Sequence, residues 1–426
     1  MTSNRSEKLF QRAIKVIPGG VNSPVRYFKP YPFFVSSGLG SKIVTADHET
    51  YLDYCMGYGS LIFGHSYLPI IESVKMQLDN GTLFCIPSEK EIHLAELMTK
   101  IIPCAEKVRL VNTGAEATMT AIRLSRAFTG RNKIVKFNGG YHGAYDYVLV
   151  KAGSGAANIP SSAGSLQEIS KETLIVQYND FGELERLIEK ESEHISCLIM
   201  EPVLANYGLI IPEKSYLTEI RKITKKYGIL LIFDEVITGF RLSVGGCSEF
   251  FGVTPDIATY SKSFGNGFPI AAICGKKEIM DQLTPSGNVY QASTFAGNPV
   301  SVTAAITTVE SLLKNKNIIY PTIARLCDTL VMGIKDRVKD FDNHYTLNSI
   351  GSLFQIFFTA ETVSTPLDIL KSDQKLFESL FWDLLKKNIF IPPSLYETCF
   401  ISYSHCDEDI EKTIECYADS LNKYIK

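Results

Sequence analysis

The 426-residue sequence predicts an α/β chain, with a large domain built on a mostly parallel sheet flanked by helices and a smaller α+β domain. Two observations predict it. From about residue 100 to 280, short aliphatic runs alternate with amphipathic segments, the pattern of strand and helix units around a parallel sheet. The runs KIVKF (133–137), SCLIME (196–201) and ILLIFDE (229–235) are apolar nearly throughout and end in polar residues or glycine, as strands buried on both faces do.

The elements follow in order. Residues 1–55 are expected to pack with the small domain, and SKIVTADHETYLDY reads as a hairpin around DHET. The large domain is expected over 56–310. Within it, GAEATMTAIRLSRAF places Ala117, Ala121, Leu124 and Phe128 at helical spacing, which predicts a helix with that face inward. DIATYS predicts a further strand, and ligands of such sheets bind at the carboxyl ends of the strands. SVTAAITTVESLLKN, from Ser301, reads as a helix, and alternating strands and amphipathic helices after it predict a small domain over 311–426.

Composition narrows the function classes. A hydrophobic fraction of 45% and a charged fraction of 21% are those of a globular chain. The net charge of −3, without a basic run, argues against nucleic acid. The longest apolar runs fall far short of the roughly 20 residues of a membrane helix, and no secretory signal is legible, so a cytoplasmic protein is expected. The ten cysteines include no C-x-x-C pair and the seven histidines no H-x-x-x-H pair, so no protein-bound metal is expected.

The chemistry concentrates in a few positions. Asp234 ends the apolar run ILLIFDE, where a carboxylate needs a partner; it either serves structure, by capping a helix or pairing an arginine such as Arg241, or meets a cationic ligand. In VNTGAEATM, Thr113 and Gly114 open a helix, either as an ordinary N-cap or as an anion site. Lys262, in TYSKSFGNGFP, follows the DIATYS strand, which brings it to the edge occupied by Asp234. An amine for an aldehyde, a carboxylate for a ring nitrogen and a helix N-terminus for a phosphate together match pyridoxal phosphate, with Lys262 as the Schiff-base lysine. Tyr141 and His142 in FNGGYHG, Asn206 in EPVLANYG and Thr294 in STFAGNP lie at further strand ends or loops that can reach such a ligand.

In their order, NTGAEA, IFDEVITGFR, SKSFGNGFP and STFAGNP resemble the class III, fold-type I aminotransferases over essentially the whole chain. PGGVNSPVR, KAGSGA, GNVYQAST and PPSLYETCF are similar to the aminomutase branch of that family. The resemblance implies a homodimer with shared active sites, cycling between pyridoxal and pyridoxamine phosphate. It implies conversion of glutamate 1-semialdehyde to 5-aminolevulinate, for tetrapyrrole synthesis, through a diamine intermediate. Transamination of an amino sugar, a β-amino acid or another amine is the alternative.

Carried over, Lys262 holds the cofactor, Asp234 pairs with its ring nitrogen, and Val236 and Tyr141 flank the ring with His142 beside it. Asn206 reaches its phenolic oxygen, Gly114 and Ala115 hold the phosphate, and Thr294 reaches that phosphate from the neighbouring subunit. Ser23 and Arg26 take the substrate carboxylate, Ser154 lies in a mobile gate, and Glu397 is the C-terminal active-site glutamate. Ala115, Tyr58, Asn266 and Ala144 depart from the residues common in the branch; tryptophan is usual where Tyr58 stands. No arginine follows Arg337, which favours a substrate without an α-carboxylate.

Overall fold

The computed structural model describes residues 5–150, 162–338 and 344–424. The chain divides into two compact units. One comprises residues 1–67, 321–363 and 368–426, and the other residues 68–320 and 364–367. The long helix Pro299–Arg337 contains that division at Pro321 and leaves helical φ/ψ at Asn315.

In chain order the strands are β1 (Val35–Leu39), β2 (Lys42–Thr45), β3 (Thr50–Asp53), β4 (Lys107–Val111), β5 (Lys133–Phe137), β6 (Thr173–Val176) and β7 (Ile195–Met200). They continue with β8 (Leu230–Glu235), β9 (Ile257–Tyr260), β10 (Ala271–Gly275), β11 (Thr346–Ile350), β12 (Leu353–Phe357), β13 (Ile389–Phe390) and β14 (Cys399–Phe400). The second unit holds a seven-stranded sheet in the order β4-β10-β9-β8-β7-β5-β6. Its strands are parallel except β10, which runs antiparallel to both β4 and β9. Every residue of β7, β8, β9 and β10 is buried, which explains why these runs do not alternate in the sequence.

The helix Gly114–Thr129 packs on this sheet. Thr113 Oγ1 accepts the Glu116 N–H at 3.2 Å while the Glu116 carboxylate accepts the N–H groups of Asn112 and Thr113, a capping box. Gly130, with φ of 69°, ends the helix in the left-handed region. Ala117, Ala121, Ile122 and Leu124 join Ile134, Ile199, Ile232 and Ile273 of the sheet in one core cluster. Phe128, expected on that face, is 39% exposed, because the helix has run past the apolar layer by its last turn.

The register aligns one edge. Leu110 of β4 faces Ala272, Ala272 faces Tyr260, and Tyr260 faces Glu235, so the carboxyl ends of β4, β9 and β8 finish level with one another. The chain leaves that edge toward Gly114, Lys262 and Val236 respectively.

The first unit holds two small sheets, β1-β2-β3-β13 and β11-β12-β14. The expected hairpin around DHET is the β2–β3 pair. Among the described residues, no helix is long and apolar enough to cross a membrane, and no cluster of His, Cys, Asp and Glu is placed to hold a metal ion.

His405, in the first unit, is a buried histidine whose Nδ1 accepts the Ser402 N–H at 3.0 Å and whose ring lies 4.8 Å from that of Tyr54. An imidazolium has no lone pair for that donor. Burial pushes the ring down to about 4, against about 6.5 in an unfolded chain. Because the folded value is depressed, this contribution to stability is intact above about pH 6.5 and is lost as the pH falls toward 4. The thermal midpoint of the wild-type protein is therefore expected to drop more between those pH values than that of His405→Gln. Parallel curves would contradict the assignment.

Candidate active site

The site of the second unit begins with Asp234, which is 3% exposed. Three donors converge on its carboxylate. Oδ2 accepts from His142 Nδ1 at 2.7 Å, and Oδ1 accepts the Val236 N–H at 3.1 Å and the Thr259 hydroxyl at 3.3 Å. Thr259 stands opposite Asp234 in the parallel β8–β9 pair, so the ladder itself supplies that donor. Sequence reasoning raised Arg241 as a structural partner; the side chain bonded to Asp234 is instead the His142 ring. Burial pushes the His142 ring below its ordinary value, against the pull of Asp234. A neutral ring bonded through Nδ1–H leaves Nε2 as an acceptor, and Nε2 is buried without a partner among the described residues.

Lys262 opens a single 3₁₀ turn, Lys262–Phe264, directly after β9 and Ser261. Its φ of 47° lies in the left-handed region, which is strained for a residue with a Cβ. Such strain persists where packing over-determines it, and here buried Ser263 and Phe264 follow at once.

The helix Gly114–Thr129 presents its amino end to the same place. The first N–H groups of any α-helix, here those of Gly114 and Ala115, have no carbonyl to bond within the helix and carry the positive end of its dipole. A methyl group added at Gly114 would lie 2.7 Å from Val236 Cγ2, so only glycine lets the helix start this close to the residue after Glu235. Ala115 in turn lies against Gly143, where an added Cβ would approach it to 2.7 Å. Thr294 is exposed, on the loop before the long helix.

Tyr141, 38% exposed, and Asn206 leave the ends of β5 and β7. Both are tied to Glu201, a residue that sequence reasoning used only as the end of a strand. Oε1 of Glu201 accepts the Tyr141 N–H at 3.1 Å. Oε2 accepts the N–H groups of Ala205 and Asn206 at 3.1 and 3.2 Å and the Asn206 side-chain amide at 3.1 Å. A carboxylate ending the apolar run SCLIME was the available signal, the same one that drew attention to Asp234.

These residues fit pyridoxal phosphate. Gly114, packed against Val236 too closely for a Cβ, opens a helix N-terminus suited to a phosphate, and a buried carboxylate and a lysine suit the ring nitrogen and the aldehyde.

The first unit carries the remaining predicted residues. Pro24–Arg26 form one 3₁₀ turn in which the Arg26 N–H meets the Ser23 carbonyl at 3.1 Å; Arg26 is exposed and Ser23 half-buried. The Tyr58 hydroxyl donates to the carbonyl of Val25, next to Arg26. Met56, Gly57, Tyr58 and Gly59 all have positive φ, and a methyl group at Gly59 would lie 2.8 Å from the Phe400 ring. Asp53 braces this turn by accepting the N–H groups of Cys55 and Met56 at 2.8 and 3.1 Å. Glu397 is 6% exposed, just before β14. Burial pushes the Tyr58 hydroxyl far up, Cys55 and Glu397 add to the rise, and Arg26 opposes it, so a cation and an anion both act on this ring. Ser154 lies outside the described residues.

The Aminotransferase class-III family profile matches residues 25–377. A glutamate-1-semialdehyde 2,1-aminomutase from Nitrosopumilus maritimus is 51% identical, covering 97% of each chain. The enzyme of that name from Methanothermobacter thermautotrophicus is 49% identical, covering 98% of this chain and 99% of its own. Among solved structures, an omega-transaminase from Sphaerobacter thermophilus superposes with a TM-score of 0.92 at 33% identity, covering 99% of this chain and 98% of that one. A transaminase with PLP bound gives 0.90 at 28%, with the same coverage of each.

Proposed function

The chain belongs to the class-III aminotransferase family, and on that premise we propose that it converts glutamate 1-semialdehyde to 5-aminolevulinate by moving an amine within one substrate. Its cofactor is pyridoxal phosphate, which when bound supplies an aldehyde that takes up the amine and a cationic ring that accepts the electrons of the neighbouring carbon. Lys262 would hold it through Nζ, and the same amine would serve as the base that takes the proton from the amine-bearing carbon of the substrate. The amide N–H groups of Gly114 and Ala115 hold the phosphate. Val236 and Tyr141 would flank the ring, Asn206 would reach its phenolic oxygen, and Asp234, held by the neutral His142, would keep its nitrogen protonated.

The observation that carries the substrate reading is the charge pattern around Tyr58. Arg26 is the cation acting there and Glu397 the buried anion, and no arginine follows Arg337. A substrate with one carboxylate suits one guanidinium. In this reading Arg26 and Ser23 bind that carboxylate, while Glu397 faces the amine-bearing end and disfavours a second carboxylate.

We also propose a homodimer in which Thr294 completes the phosphate site of the other subunit; its exposure, with that of Phe295 beside it at 59%, supports this. Light scattering is expected to give twice the chain mass of 47.4 kDa, and a fully active single chain would contradict it.

Supplied with glutamate 1-semialdehyde and neither amine donor nor acceptor, the holoenzyme is expected to release 5-aminolevulinate. Lys262→Ala should fold and lose nearly all of that turnover. Activity only when an amine donor is added would instead indicate an ordinary aminotransferase. Arg26→Ala addresses the carboxylate. Loss of such a partner costs about 2 to 5 kcal/mol when the opposing charge is desolvated, and the lower end, roughly thirtyfold, is expected for an exposed arginine. KM for glutamate 1-semialdehyde should rise by that factor while a carboxylate-free amino aldehyde reacts unchanged. Equal losses for both substrates would show that Arg26 serves structure alone.

A further inference from the structure

The carboxylate of Glu201 has a place in the fold that the catalytic assignment leaves unused. It is buried at the carboxyl edge of the sheet, just past β7, and gathers four N–H donors from two separate loops. The loop after β5 contributes Tyr141, and the loop after β7 contributes Ala205 and Asn206. The two loops also touch directly. Gly139, with φ of 79°, sits so close to Tyr207 that an added Cβ would meet its ring at 2.8 Å. The second loop is closed on itself by the Leu204–Ile210 bridge, with both N–H···O distances near 3 Å at 3.0 and 2.9 Å. The second loop is thus closed on itself, and the Glu201 carboxylate links it to the first through hydrogen bonds.

We propose that Glu201 is a positioning residue that sets the spacing of the two walls of the cofactor-ring site, fixing Tyr141 through its backbone N–H and Asn206 through backbone and side chain together. The inference rests on the proposed roles of Tyr141 and Asn206. One carboxylate serves both because its two oxygens point to different loops, Oε1 to Tyr141 and Oε2 to Ala205 and Asn206. Burial and the nearby charge of Asp234 push the Glu201 carboxyl up to about 7, and the Tyr141 N–H, the Asn206 side-chain amide and the Ala205 N–H pull the other way. Lys136 is buried in β5 with its amine on the carbonyls of Val148 and Val150 at 2.9 and 2.8 Å; burial pushes that amine down to about 7, and the nearby Glu201 carboxylate pulls it back up. An amide in place of the carboxylate offers one acceptor and turns an NH2 group toward the donors of the other loop, so one wall must move.

The test is Glu201→Gln in the holoenzyme, read by the visible absorption band of the bound cofactor and by the dissociation constant of pyridoxal phosphate. We expect the band to shift and the dissociation constant to rise about tenfold or more, the usual scale for charged hydrogen bonds to a buried group. The cofactor-free variant is expected to lose some thermal stability as well, since buried donors lose an acceptor, so the readout that a merely structural carboxylate would not move is the absorption band of the variant saturated with pyridoxal phosphate. An unchanged band and affinity would overturn the inference. Tyr141→Ala and Asn206→Ala, measured in parallel, separate the layers. If they alter the band and Glu201→Gln does not, the positioning role fails and the site assignment stands. If none of the three alters it, the site assignment fails. Should Glu201→Gln not fold, amide exchange in the wild-type holoenzyme decides: the amides of Tyr141, Ala205 and Asn206 are expected to be strongly protected, and rapid exchange at them would overturn the proposal.

Discussion

A carboxylate buried at the end of a β-strand is the constraint from which the site follows. Asp234 has 3% of its surface exposed, so its charge must be met inside the fold. The sheet register brings Thr259 opposite it, the turn after β8 brings the Val236 N–H back to it, and the loop after β5 brings His142 over it. Each donor comes from a different stretch of chain, so the paired strands β8 and β9, and β5 beyond β7, have to end in the right place for this one group to be satisfied. The same level edge releases Lys262 and the helix N-terminus at Gly114. Catalytic geometry and sheet geometry are thus one requirement, and a slip of register would leave a buried anion without its partners.

Much of this was legible in the sequence, for local reasons. Uninterrupted apolar runs marked the buried strands, Thr113 marked a helix start, and polar residues at strand ends marked the reactive edge. What was not legible depends on approach between distant segments. Nothing local identifies His142, rather than Arg241, as the partner of Asp234, because the pairing spans 92 positions. Glu201 was passed over for the same reason: its four donors lie in two loops, and only their convergence gives it weight. The antiparallel β10 was hidden because a buried strand reads alike in either direction. Phe128 kept helical spacing yet emerged at the surface, since periodicity records a face and not where that face stops being covered.

The residues proposed to choose the substrate follow a different physical logic. Around Asp234 the backbone is regular and the charge is buried. Around Tyr58 the backbone is strained, with four consecutive positive φ values held by Asp53 and by packing of Gly59 on Phe400. Strained turns are stable only where several neighbours fix them, and they orient a side chain more narrowly than a regular element does. The Tyr58 hydroxyl, bonded to the carbonyl beside Arg26, is a contact that a tryptophan at that position would have to replace through its ring nitrogen.

The account depends on the charge of Asp234 remaining available to the ring of the cofactor, and that requires His142 to be neutral. A cationic imidazole would neutralise the carboxylate before any ligand met it. The most direct measurement is the nitrogen-15 NMR spectrum of the imidazole of His142 in the holoenzyme at neutral pH. One proton, on Nδ1, is the predicted result. A doubly protonated ring, or a single proton on Nε2, would contradict the central claim.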